Sequence, residues 1–195
     1  MKKTYTFLTA IIVCLLVSYA SYSQIMYGPR AGWNYSVVSG VNTNANFKSG
    51  LHLGAYARLG AKKVAFQPEV LFSMKGFTYK SAVHTESQTL NYIDIPLMLR
   101  LGGKFGFYLG AQPSILLGAK YKYTINGVEK KESNKDLYNT LDLAVLTGLE
   151  FELGNGLNFG TRMGFGLLPI FNSDLYKKVI NLNFQFTLGY TLGKD

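Results

Sequence analysis

From Asn181 the chain reads NLNFQFTLGYTL, a strict alternation of apolar and polar residues. Leu182, Phe184, Phe186, Leu188, Tyr190 and Leu192 share one parity. Asn181, Asn183, Gln185, Thr187, Gly189 and Thr191 share the other. Successive side chains of a strand point to opposite faces, so this segment is a ribbon with one greasy side and one polar side. A helical period would mix the two sets on every face, and the alternation therefore predicts a strand.

The same period runs through seven further segments, near residues 26–38, 49–60, 64–79, 89–101, 104–121, 139–153 and 157–170, with the last at 180–192. Connections alternate in length. Long ones are expected at 39–48, 80–88, 122–138 and 171–179, and short ones at 61–63, 102–103 and 154–156. Short turns at one end and long loops at the other are the signature of an outer-membrane barrel, with periplasmic turns and extracellular loops. The expectation is one all-β domain over residues 24–195, an eight-stranded antiparallel up-and-down transmembrane β-barrel.

Two barrels use such strands. A soluble one puts apolar residues inside, whereas a membrane barrel inverts the arrangement. Charge decides between them. Arg30, Arg58, Lys75, Arg100, Lys120 and Arg162, with Glu69, Asp94, Asp142, Glu150 and Glu152, fall mainly on the polar face, six basic against five acidic. His52 shares that face. Near balance suits an enclosed space in which every charge needs a partner. Only 16% of residues are charged while 48% are hydrophobic, against roughly 25% charged in a soluble domain. The greasy face is thus expected to meet lipid. Eight strands leave a lumen that side chains fill, which predicts a structural network there and no pore. Tyr27, Trp33, Tyr35, Phe77, Tyr79, Phe105, Tyr121, Phe171 and Tyr190 are expected in interfacial girdles.

Residues 1–23 read as a secretory signal peptide: Lys2 and Lys3, an apolar run of 11 residues at 7–17, then small residues, with cleavage expected between positions 20 and 24 and preferred after Ser23. Its removal takes the one cysteine, Cys14, and lowers the formal charge from +9 to +7 by the loss of two lysines. No later apolar run approaches the roughly 18 residues of a spanning helix. No thiol chemistry, metal-ligand spacing or nucleotide loop is present, so no cofactor and no catalytic residue is expected. Basic residues are scattered along the chain, which speaks against nucleic acid. Ser81, His84 and Glu86 supply the residue types of a hydrolytic triad on one outer loop, but without a scaffold to orient them.

Several segments together resemble the PorT-like outer-membrane β-barrel family: YGPRAGWNYS at 27–36, GLHLGAYARL at 50–59, FQPEVLFSMKGF at 66–77, NYIDIPLMLRL at 91–101, YLGAQPSILLGAK at 108–120 and NFQFTLGYTLG at 183–193. The resemblance implies an eight-stranded outer-membrane barrel, a link in some members to protein secretion, and no catalytic residues. The expected protein is a monomeric, non-enzymatic barrel in the bacterial outer membrane. Its expected partners are outer-membrane lipid and envelope or secretion-machinery proteins. Lys130, Lys131, Lys177 and Lys178 are candidates for contacting lipopolysaccharide phosphates at the outer rim. A lipid-modifying enzyme and a narrow solute channel are the alternatives.

Overall fold

The computed structural model describes residues 24–40, 45–61, 63–80, 84–125, 128–173 and 179–193. The expected leader and its cleavage site fall outside these residues, as do Ser81, Lys177 and Lys178.

Among the described residues ten strands form one antiparallel sheet: β1 (Gln24–Ser39), β2 (Ala45–Ala61), β3 (Val64–Lys80), β4 (His84–Asp94), β5 (Leu97–Gly102), β6 (Phe105–Ile125), β7 (Val128–Ser133), β8 (Leu141–Glu152), β9 (Leu157–Gly166) and β10 (Ile180–Tyr190). The eight segments read from the sequence become ten for two reasons. Pro96, which carries no N–H, splits the fourth segment into β4 and β5. Both pieces pair with β3 and with β6, so together they make one crossing. The other extra strand, β7, folds back on the end of β6 as a hairpin, where a long loop was expected. Likewise β2 and β4 begin inside the expected loops at 39–48 and 80–88, so the outer ends of the strands reach well beyond the apolar belt.

The sheet closes on itself, because β1 pairs with both β2 and β10. Closure pairs every ladder and leaves no edge for lipid to strip. Following partners once around from Ile25, through Leu59, Phe66, Leu99, Leu109, Thr147, Met163 and Phe184, returns to β1 at Tyr35, ten residues further along. With about 3.3 Å per residue and about 4.8 Å between strands, that stagger tilts eight crossings by about 40° from the barrel axis.

Burial follows the alternation. Along β10, Asn181, Asn183, Gln185 and Thr187 are buried while Phe184, Phe186, Leu188 and Tyr190 are exposed. Polar residues line the inside. The outside is a belt of Leu, Phe, Val and Ile from every crossing, Leu53 at 64% and Phe105 at 61% exposure among them. Such a continuous apolar surface is stable only against hydrocarbon.

One irregularity changes the inside–outside assignment. Asn91 pairs with Gly118 and Tyr92 with Leu116, so Leu117 is an extra residue in β6. A bulge of this kind reverses the facing of everything beyond it. Lys120, placed in the lumen by simple alternation, is exposed and Ala119 is buried in its stead. Lys120 sits on the outer wall just past Leu117, between Thr89 and Ser133.

Candidate functional site

The lumen is organised in layers. The layer nearest the short turns holds an ion-pair network. Glu69 Oε1 accepts from Arg30 Nη1 at 2.7 Å, and Arg162 grips both carboxylate oxygens of Glu69 at 2.7 and 2.8 Å. Gln67 Nε2 donates to Glu69 at 2.7 Å. Glu150 accepts from Arg30 and Arg58 at 2.7 Å, from Arg100 Nε at 3.0 Å, and from the Tyr108 hydroxyl. Arg58 also donates to Glu152 at 2.7 Å, and Arg100 closes the layer by donating to the carbonyls of Gly102 and Gly103. The Arg30 guanidinium lies 4.4 Å from the centre of the Tyr56 ring, and that of Arg162 lies 4.8 Å from the Tyr108 ring. Cation–π contacts of this kind add to the ion pairs.

Glycines make this possible. A Cβ at Gly106 would fall 2.8 Å from Arg100 Cζ, and one at Gly148 would fall 2.9 Å from Arg162 Cγ. Both large side chains therefore lie where a neighbouring strand has no side chain at all.

The middle layer is more loosely paired. Lys75 Nζ donates to Asp94 at 2.8 Å, and Asn181 Nδ2 donates to Asp142 at 2.7 Å. His52 Nδ1 lies 2.9 Å from Asn34 Oδ1. His52 Nε2, Gln112 Oε1 and both amide ends of Gln185 are buried without a protein partner. Above them an apolar layer closes the outer end, with Val38, Phe77, Leu90, Leu116, Ala119, Tyr138, Ile170 and Val179 all buried.

The structure thus brings together eleven of the twelve residues that the sequence assigned to the lumen. Arg30, His52, Arg58, Glu69, Lys75, Asp94, Arg100, Asp142, Glu150 and Arg162 are buried, and Glu152 is nearly so. Lys120 is the exception, for the reason given by the bulge. Without it the lumen carries five cations and five anions, and its charge is balanced. Sequence reasoning missed the uncharged partners Gln67, Tyr108 and Asn158, which supply hydrogen bonds to this network. Their place on the polar parity of their strands was the available signal.

The outer surface also departs from expectation. Tyr27, Trp33, Tyr35, Phe105 and Tyr190 face outward, although Trp33 lies within the belt between Leu51 and Phe186. Phe77, Tyr79, Tyr121 and Phe171 turn inward and line a cleft at the outer mouth. Lys130 and Lys131 lie exposed on β7, and Lys131 pairs with Glu129 at 3.1 Å. Glu129 also pairs with Lys122, and the two lysines hold its carboxyl below the ordinary carboxylate range. Lys48 donates to Ser87, and burial, with repulsion from Lys122, lowers its pKa. Among the described residues no cluster of His, Cys, Asp or Glu could hold a metal ion. His84 and Glu86, two of the three triad residue types, lie at the start of β4.

A family model described as outer membrane protein beta-barrel domain matches residues 19–172. The chain belongs to the outer membrane protein beta-barrel domain family. This barrel domain places the protein in the outer membrane, and the exposed belt is its lipid-facing surface. Two solved structures share the fold. Ail, the attachment invasion locus protein of Yersinia pestis, superposes with a TM-score of 0.53 at 14% identity, covering 86% of this chain and 98% of Ail. Neisserial surface protein A superposes with a TM-score of 0.50 at 14% identity, covering 86% of this chain and 97% of that one. No curated protein sequence matches the chain. At these identities the likeness concerns the barrel itself.

Proposed function

We propose that this barrel domain is a non-catalytic, non-conducting envelope protein that presents its outer rim to lipid and to partner molecules. One observation carries the reading: the lumen is stoppered twice, by the Arg30–Glu69–Arg162 and Arg58–Glu150–Arg100 network below and by the apolar layer around Phe77, Leu90 and Tyr138 above. An ion crossing this path would have to break buried ion pairs and then enter an apolar plug, each costing several kcal/mol. In a planar bilayer the purified protein stays silent, and steady single-channel conductance would overturn the reading. Mass spectrometry of lipid A from cells with and without the protein tests the catalytic alternative. Unchanged lipid A is the expected result.

The lysines just beyond the belt are the elements that would meet lipopolysaccharide. Lys120, Lys122 and Lys48 lie at or above the end of the apolar surface, beside the hydroxyls of Ser87 and Thr89, a set suited to a lipid phosphate. They join Lys130 and Lys131 of β7 as candidates for that contact, and Lys177 and Lys178 lie outside the described residues. Neutralising Lys48, Lys120 and Lys122 together weakens binding of lipopolysaccharide to the refolded barrel, and unchanged binding would remove the assignment. Export through a cleaved signal peptide at residues 1–23, and a PorT-like association with secretion machinery, belong to the same reading. Crosslinking in intact cells tests that association.

A further inference from the structure

The middle layer of the lumen holds buried polar atoms that the protein itself leaves unanswered. Seven of them belong to six residues: His52 Nε2, Ser73 Oγ, Asp94 Oδ2, Gln112 Oε1, Asn183 Oδ1 and both ends of the Gln185 amide. All six residues are at most 6% exposed. They stand on β2, β3, β4, β6 and β10. The stagger of the barrel nevertheless brings them within about 5 Å of one another along its axis. They therefore face one short stretch of the lumen, between the arginine–glutamate network and the apolar plug.

The register shows why no side chain answers them. Gln112 stands across the ladder from Ala144, Asn183 from Gly164, Asp94 from Ser114, and His52 from Gly32 and Ser73. A ring of small residues leaves space where an eight-stranded barrel is otherwise filled by side chains. Gly32 is needed beside the His52 ring, because a Cβ there would fall 2.6 Å from Nε2. Asn34 Nδ2 donates to the carbonyls of Leu51 and Met74 at 3.4 and 3.1 Å, which leaves its Oδ1 to accept from His52 Nδ1 at 2.9 Å. With the proton on Nδ1, Nε2 of the neutral ring presents a lone pair to the lumen as an acceptor.

We propose that this stretch of the lumen is a hydration site, a cluster of ordered water molecules that completes the hydrogen bonding of these six residues. The mixture of atoms selects the ligand. Asp94 Oδ2, Gln112 Oε1, Asn183 Oδ1 and His52 Nε2 accept. Gln185 offers both a donor and an acceptor whichever way its amide is turned, and the Ser73 hydroxyl serves as either. A metal cation would satisfy the oxygens and leave the donor bare, and a halide would do the reverse. Asp94 is already neutralised by Lys75 at 2.8 Å, so it does not call for a counter-ion. Water gives and takes hydrogen bonds at once. Left dry, seven such atoms would cost as much as the whole margin by which a domain stays folded. At roughly three bonds to each buried water, about two to four molecules suffice. The site goes beyond the sealed-barrel reading and does not rest on it, because a leaky lumen would be wet as well. The stoppers set only how long each water stays.

The test uses the mature chain refolded in deuterated maltoside micelles, with dipolar cross-relaxation between water and side-chain protons as the readout. The amide protons of Gln112 and Gln185 and the ring carbon protons of His52 give cross-peaks to water whose laboratory-frame and rotating-frame signs are opposite, the mark of water held inside rather than passing over a surface. Gln185→Leu keeps a similar volume and removes both amide ends, and it lowers the Gln112 intensity at least twofold. Should that variant fail to show the heat-dependent gel shift of a folded barrel, Gln112→Met, read at Gln185, takes its place with the same expected loss. Adding sodium, potassium or chloride salts leaves the side-chain resonances of the six residues where they are. Absence of the cross-peaks in the wild type, undiminished intensity in a folded variant, or a saturable shift with one of the salts overturns the proposal.

Discussion

Arg30 and Glu69 meet at 2.7 Å inside the barrel although they stand 39 residues apart on β1 and β3, which β2 separates. Glu69 also holds Arg162 from β9, so one carboxylate fastens three of the crossings from within. Replacing it by glutamine leaves two buried guanidinium groups short of charge. Breaking a buried pair from one side costs about 3–5 kcal/mol. Urea unfolding of Glu69→Gln in vesicles is expected to show a loss of that order, and a loss under 1 kcal/mol would mean the network contributes little.

Lys75 and Asp94 form a second pair at 2.8 Å, with the ammonium 4.9 Å from the Tyr92 ring. Either Lys75→Met or Asp94→Asn alone strands the other charge in a buried layer. The double substitution removes both charges. It is expected to destabilise less than the sum of the two single changes, by about 1–3 kcal/mol in a double-mutant cycle. Simple additivity would show that the two groups do not depend on each other.

The outward position of Lys120 is open to chemical labelling. A cysteine at 120 is expected to react on intact cells with a membrane-impermeant maleimide. A cysteine at Ser114, which is 1% exposed and faces the lumen, is expected to stay protected. Protection at 120 would return that residue to the lumen and remove the bulge.

Tyr121 titrates late, pushed up to about 12 by burial and by its hydrogen bond to Glu86. A raised folded-state pKa means that the folded protein holds this proton more tightly than the unfolded chain does. Its contribution to stability is therefore complete below about pH 10, the ordinary tyrosine value, and is lost as pH rises towards 12. Phenolate absorbance should show a late-ionising tyrosine in the wild type that moves towards pH 10 in Glu86→Gln. No movement would separate Tyr121 from Glu86.

Much of this architecture was legible because the physics that reads a strand is local. Leu182, Phe184 and Phe186 alternate with Asn183 and Gln185, and each went to the side its chemistry demands. The break at Pro96 was not read, because the alternation of Ile93, Ile95, Leu97 and Leu99 runs through it without a fault. Lys120 was not legible, since Leu116 and Leu117 are both apolar and nothing in their side chains says which is the extra one. β7 was hidden for another reason. Its sequence VEKKES meets water on both faces, so it has no apolar parity to display. Phe77 and Tyr121 illustrate a third limit. An aromatic near a strand end suits an outward-facing girdle and an inward-facing cleft equally well, and only the register decides between them.

Leu117 acts on the upper part of β6 as an inserted letter acts on a reading frame. Deleting it would join Leu116 to Gly118 in an unbroken ladder, with Tyr92 and Asn91 keeping their partners and Lys120 and Lys122 staying on the outer wall. A one-residue gap here should thus disturb the barrel less than a gap in the regular part of the strand, and relatives that lack this residue would carry the same rim on an unkinked strand.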